Sequence, residues 1–179
     1  MYTEVIMKRR RALLRTLFVI TSFAVLPAQA KSEVLNIAAA INKAGRQRML
    51  SQRIAKAYAQ LVLGVYAERS RVILNNSVEL FERQLAELTA FSPTAEIRKL
   101  YEQLATLWVP YRTAALAVAG MEGLKKIAAF NEDVLKAAHA ATLALEKYSG
   151  TVAGHLVNIA GRERMLSQRC AKFYLFRAA

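Results

Sequence analysis

The sequence is short of the residues that cross-link or interrupt a chain. A single Cys excludes an intramolecular disulfide framework and any multi-cysteine zinc site. Three Pro and seven Gly among 179 residues are too few for a loop-rich β protein. The two histidines, His139 and His155, have no carboxylate or cysteine at ligand spacing, and no Glu-x-x-His occurs. That argues against a metal site, a di-iron bundle or a catalytic triad, so no catalytic residue, metal or cofactor is expected. Nor does a Gly-rich phosphate loop follow any strand signal. Acidic residues are scarce too: 13 Asp+Glu against 26 Lys+Arg leave a formal charge of +13. What is plentiful is apolar, at 55% of the chain and rich in Ala and Leu, the composition of one helical domain.

Part of the charge lies in an N-terminal export signal. Lys8-Arg9-Arg10-Arg11 and Arg15 precede an uncharged apolar run, Leu17–Leu26, and Pro27-Ala28-Gln29-Ala30 closes it with an Ala-x-Ala site. A basic segment, a short apolar segment and small residues at a cleavage site are the three parts of a secretory signal. The run is shorter than the roughly twenty residues that span a bilayer. Residues 1–30 are therefore read as a signal peptide cleaved after Ala30, leaving 149 residues at +9 and a soluble periplasmic protein. Outside the cytoplasm there is no chromosomal DNA to meet, so the charge does not point to nucleic acid.

The remainder reads as amphipathic helices. The first runs from Ser32 or Glu33 to about Arg69, with Leu50, Ile54, Ala57 and Leu61 at core spacing. A second covers Val72–Phe91, with Ile73, Val78, Leu80, Phe81, Leu85 and Leu88 inward. Ser92-Pro93 reads as an N-cap and first helical position for a third helix, to about Ala119, with Pro110 expected to kink it. A fourth runs from Leu124 to Tyr148 and carries Ile127, Phe130, Val134, Leu135 and Leu143. Short connections between such helices predict an all-α, antiparallel up-down four-helix bundle over residues 31–149. Residues 150–179 form an additional C-terminal helical segment, whose course after Ser149-Gly150 the pattern leaves open.

Self-comparison finds an internal repeat. Residues 42–58 and 158–174, at an offset of 116, differ at only four of seventeen positions: 43/159, 47/163, 54/170 and 57/173. Every Gly and Arg is retained, although structural duplication alone would keep apolar spacing and let polar residues drift. Asn42, Ala44-Gly45, Arg48-Met49, Ser51 and Arg53, with Asn158, Ala160-Gly161, Arg164-Met165, Ser167 and Arg169, resemble the signature of the PilJ/NarX-like N-terminal sensor domain. This domain occurs in type IV pilus methyl-accepting chemotaxis transducers and nitrate/nitrite sensor kinases. The resemblance implies an extracytoplasmic four-helix bundle, non-enzymatic, with Gly45 and Arg48 where the nitrate sensors contact their anion at a symmetric dimer interface. Arg46-Gln47 before Arg48 and Leu50-Ser51-Gln52 after Met49 bring this chain closer to the pilus-transducer form. The second box resembles the opening helix of another, truncated copy.

On a helical wheel starting at Gly45, Leu50, Ile54, Ala57 and Leu61 fall at about 120–180°, the bundle core. Ile41, Gly45, Arg48 and Gln52 fall at about 300–360°, almost opposite, and Asn42, Arg46 and Arg53 form a third stripe at about 60–100°. A mid-helix glycine costs about 1 kcal/mol relative to alanine, so Gly45 marks the close approach of another helix. The second face thus reads as a helix contact with a guanidinium in it. No acid stands between Glu33 and Glu68, and guanidinium forks suit planar oxyanions. The expected ligand site comprises Gly45, Arg48, Gln52, Arg46 and Arg53 with Gly161, Arg164 and Gln168. The guanidinium-bearing face suits a small oxyanion, which the resemblance implies to be of the nitrate or nitrite kind, bound in a homodimer or beside a membrane transducer carrying a related domain. The alternatives are a structural protein that pairs with such a transducer without a ligand, and peripheral binding to anionic lipid. A solvated helix face also explains a basic stripe, with Arg46 and Arg53 paired to Glu79, Glu82 or Glu87. Cys170, aligned with Ile54, is expected to be a small buried hydrophobe.

Overall fold

The computed structural model of the chain describes residues 36–179; the expected signal peptide lies outside them. Among the described residues there are five helices and no strand. They are α1 (Ile37–Val62), α2 (Ala67–Phe91), α3 (Ala95–Leu116), α4 (Met121–Ser149) and α5 (Val152–Ala178).

α1 starts at Asn36, whose side chain accepts the Ala39 N–H at 2.8 Å. It ends earlier than its apolar spacing predicts. Gly64 takes φ +69°, its N–H bonds the Leu61 carbonyl, and the Val65 N–H bonds that of Gln60. This paired closure is the Schellman arrangement, and it stops the helix seven residues before Arg69. The cap of α3 is also displaced from the expected Ser92-Pro93. The Ser92 hydroxyl turns back to donate to the Leu88 carbonyl at 3.0 Å, and Thr94 accepts the Ile97 N–H at 3.2 Å. α3 carries Pro110 at an exposed position and continues to Leu116. Ser149 ends α4, Gly150 takes φ +58°, and Thr151 caps α5 by accepting the Gly154 N–H at 3.0 Å. Residues 150–179 therefore fold back as a separate helix.

α1 lies against α2 and α4, and α3 packs mainly on α4 with a smaller contact to α2. This is a four-helix bundle with α1 and α3 on one diagonal. Leu50, Ile54, Ala57, Phe81, Leu88, Leu104, Ile127 and Val134 are fully buried, each large apolar side chain stabilising the fold by about 1.5–3 kcal/mol. Phe81 stacks on Trp108 at 3.9 Å between ring centroids, and Trp108 meets Tyr111 at 5.8 Å. Leu143, expected inward, is 45% exposed, because α4 turns that side away from α1 and α3.

The fifth helix changes the bundle. It lies chiefly on α1, on the face opposite the bundle core, so α1 is buried on both sides. Cys170 is exposed, contrary to expectation: the side of α5 equivalent to the core stripe of α1 faces outward.

Candidate functional site

Side-chain contacts set the direction of α5. α1 runs antiparallel to α4, with Arg48 at His139, Ser51 at Asn131 and Tyr58 at the carbonyl preceding α4, Val118. α5 is also antiparallel to α4, with His155 at Glu146 and Arg169 at Glu132. α1 and α5 are therefore parallel, and the two boxes lie side by side in register. A methyl carbon on Gly45 would stand 3.4 Å from Gly161 Cα, and one on Gly161 would stand 3.3 Å from Gly45 Cα. Glycine on both sides permits this backbone contact.

Around that crossing the pairing is reciprocal. Arg48 Nη2 donates to the Asn158 side-chain oxygen at 2.6 Å and to its backbone carbonyl at 3.1 Å. Arg164 Nη2 donates to the Asn42 side-chain oxygen at 2.8 Å. Because 42/158 and 48/164 are repeat equivalents, the two Arg–Asn pairs are related by a pseudo-two-fold axis along the helix pair. Their surroundings differ. α4 covers Arg48, which is fully buried, and His139 on α4 accepts from its Nη1 at 3.1 Å. Nothing among the described residues covers Arg164 in the same way, and it is exposed.

Arg48 is a buried cation with unusual neighbours. No carboxylate among the described residues lies within ion-pair distance of it, and its Nε has no hydrogen-bond partner there. Burial, reinforced by Arg162 and Arg164 and opposed by Glu146, pulls its pKa down to about 10. It still carries its charge at neutral pH. Glu146 acts through Asn158, whose amide donates to it, while His155 bonds its other oxygen at 2.5 Å. Beside the Arg48 guanidinium a cavity of about 280 Å³ opens between α4 and α5. It is lined by Arg48, Lys136, His139, Arg162, Arg169 and Glu132, with Leu135, Met165 and Leu166 as its apolar part. Four cations, Arg48, Lys136, Arg162 and Arg169, against the one acid Glu132 make it a positive, partly desolvated recess.

The other expected site residues are dispersed. Gly45, Gly161 and Gln52 are buried at or near the crossing, the Gln52 amide donating to Ser51 Oγ at 3.2 Å. Arg46 and Gln168 are partly buried. Arg53 reaches a separate recess of about 170 Å³ between α1 and α2. Two of the acids considered as partners for Arg46 and Arg53 are engaged elsewhere: Lys43 holds Glu87 at 2.7 Å and Arg112 holds Glu82 at 2.6 Å. Sequence reasoning missed the α4 wall, Lys136 and His139, and the Arg162 and Arg169 side of α5. Retention of Asn42 with Asn158 was the available signal for the reciprocal bonds.

His139 gives the site a pH dependence. Its pKa is lowered by burial, then by Arg48 and Arg162, with Glu146 opposing. The unfolded chain thus takes up this proton more readily than the folded one. Stability should be full above pH 7 and decline as pH falls through about 6.5 toward the lowered folded value. Urea denaturation at pH 7.5 and 5.5 checks this: His139→Gln should lose less stability across the interval than the unaltered protein.

The fold is thus a helical bundle with a cationic recess between α4 and α5. The chain belongs to the family described as type IV pili methyl-accepting chemotaxis transducer N-term (PilJ), whose model matches residues 30–133, more than half its length. This family is sensory and non-catalytic. No curated protein and no solved structure matches the chain. No described helix is long and apolar enough to cross a membrane.

Proposed function

We propose that this chain is an exported, periplasmic sensor module that binds a small oxyanion of the nitrate or nitrite kind and presents it to a membrane transducer with a related domain. One observation carries the reading: the fully buried Arg48, without a carboxylate partner, borders a recess whose wall adds Arg162, Arg169, Lys136 and His139. A buried cation among like charges is costly, and a small anion offsets both its desolvation and the repulsion. The recess has room for such an anion, and the two parallel boxes bring Arg48 and Arg164 to the same crossing. Export follows from the basic and apolar character of residues 8–30.

The test is thermal unfolding during titration with sodium nitrate, nitrite and, as an ionic-strength control, chloride. Binding at a hundredfold excess over Kd stabilises by about 2.7 kcal/mol. For a chain of this size that raises Tm by roughly 5–10 °C. No difference between the oxyanions and chloride would remove the reading.

A further inference from the structure

The relation between the two boxes has a consequence for association that is independent of anion binding. Three contacts define the α1–α5 interface at the crossing: Gly45 against Gly161, Arg48 to Asn158, and Arg164 to Asn42. In each, the α5 residue is the same amino acid as its α1 equivalent, and the helices are parallel with equivalents opposite each other. The interface is therefore self-complementary. The first helix of a second copy, placed where α5 lies, would supply Asn42, Gly45 and Arg48 and reproduce every one of these contacts. We infer that α5 is a stand-in, supplied by the same chain, for the α1 of a second copy, and that it keeps the box face of α1 from pairing with another chain.

The outer side of α5 supports this. Leu166, Cys170, Phe173 and Tyr174 are the repeat equivalents of Leu50, Ile54, Ala57 and Tyr58, all fully buried in α1. In α5 they face outward, Leu166 at 40%, Phe173 at 50% and Tyr174 at 76% exposure. Under the pseudo-two-fold, the helices covering that side would be the α2–α4 layer of the second copy. That space is open among the described residues, so a second copy pairing through α1 would meet no obstacle once α5 is displaced. Only Gly150 and Thr151 separate α4 from α5, which gives α5 a high effective concentration at α1 and makes it the stronger competitor.

Sedimentation of the full chain tests the inference. The unaltered protein should be a monomer, with nitrate absent throughout. In Gly161→Leu the Cβ would already stand 3.1 Å from the Arg48 guanidinium and 3.3 Å from the Gly45 Cα with three more carbons to place, so the change should lift α5 while leaving the box of α1 intact, and the chain should become a dimer. Adding Gly45→Leu should return it to a monomer, since the face is then blocked to any box helix. Asn158→Ala, a milder change that weakens α5 without bulk, should shift the mass in the same direction as Gly161→Leu. Circular dichroism during each run reports whether the bundle is retained. A dimeric unaltered protein, a Gly161→Leu variant that stays monomeric with its helices intact, or a double variant that still dimerises would each overturn the inference. A failed nitrate titration would leave these masses unchanged, so the two readings fail separately.

Discussion

Arg48→Ala is expected to abolish the oxyanion-dependent rise in Tm and to lower the stability of the anion-free protein by about 3 kcal/mol. Two opposed effects set that figure. The substitution removes three hydrogen bonds, leaves the Asn158 side-chain oxygen without its donor and empties the space under α4 and α5. It also relieves a desolvated charge and its repulsion with Arg162 and Arg164. Bonds from a charged donor contribute about 1.5–3 kcal/mol each, so the losses prevail. Arg48→Met should separate the two effects: it fills much of the volume, removes the charge and should cost clearly less than Ala, while abolishing the anion response just as completely. Urea denaturation with and without nitrate measures both quantities. An Arg48→Met variant that still responds to nitrate more than to chloride would locate the anion elsewhere.

Asn131→Leu should destabilise the fold by about 3–4 kcal/mol without touching the recess. Asn131 is fully buried on α4 and joins three other helices. Its amide donates to the Ser51 carbonyl on α1 at 3.0 Å and to the Tyr111 hydroxyl on α3 at 3.1 Å, while its oxygen accepts from Lys172 on α5 at 2.7 Å. Tyr111 in turn donates to the same Ser51 carbonyl at 2.6 Å. Leucine fits the volume but offers no acceptor to Lys172, which is 1% exposed and whose pKa burial already pushes down. Glu132, at 2.8 Å, remains its one carboxylate. Adding Lys172→Met should therefore restore part of the loss, and the double variant should cost less than the two single changes together. Strict additivity in chemical denaturation would mean that the two residues are not coupled.

The sequence was most informative where periodicity and repetition spoke together. Leu50, Ile54 and Ala57 sit in the bundle core as their spacing requires, and Gly45 marks a close helix contact. Ends of helices were less legible. Leu63-Gly64 stops α1 because a left-handed residue closes two hydrogen bonds there, a local event that outweighs the apolar spacing continuing past it. The site was half legible. Arg48 and Gly161 could be named from the repeat, but Lys136, His139, Arg162 and Arg169 reach the same recess from helices whose relative rotation no local pattern encodes.

The two boxes mark the boundary between what sequence and tertiary structure each decide. Sequence alone determined that the chain is helical, that it carries two nearly identical Gly/Arg segments, and that each has a face made to meet another helix. Those properties depend on spacing within a single helix. It could not determine that the two faces meet each other, because that depends on the turn at Gly150-Thr151 and the direction it gives α5. Nor could it determine that Arg48 is buried while its equivalent Arg164 is exposed, or that Ile54 is core while its equivalent Cys170 is surface. The residues around each are almost the same. What differs is that α2 and α4 cover α1, whereas α5 has one side against α1 and the other toward solvent. Burial is a property of neighbours, so the same box becomes a desolvated cation site in one copy and an exposed hydrogen-bonded pair in the other.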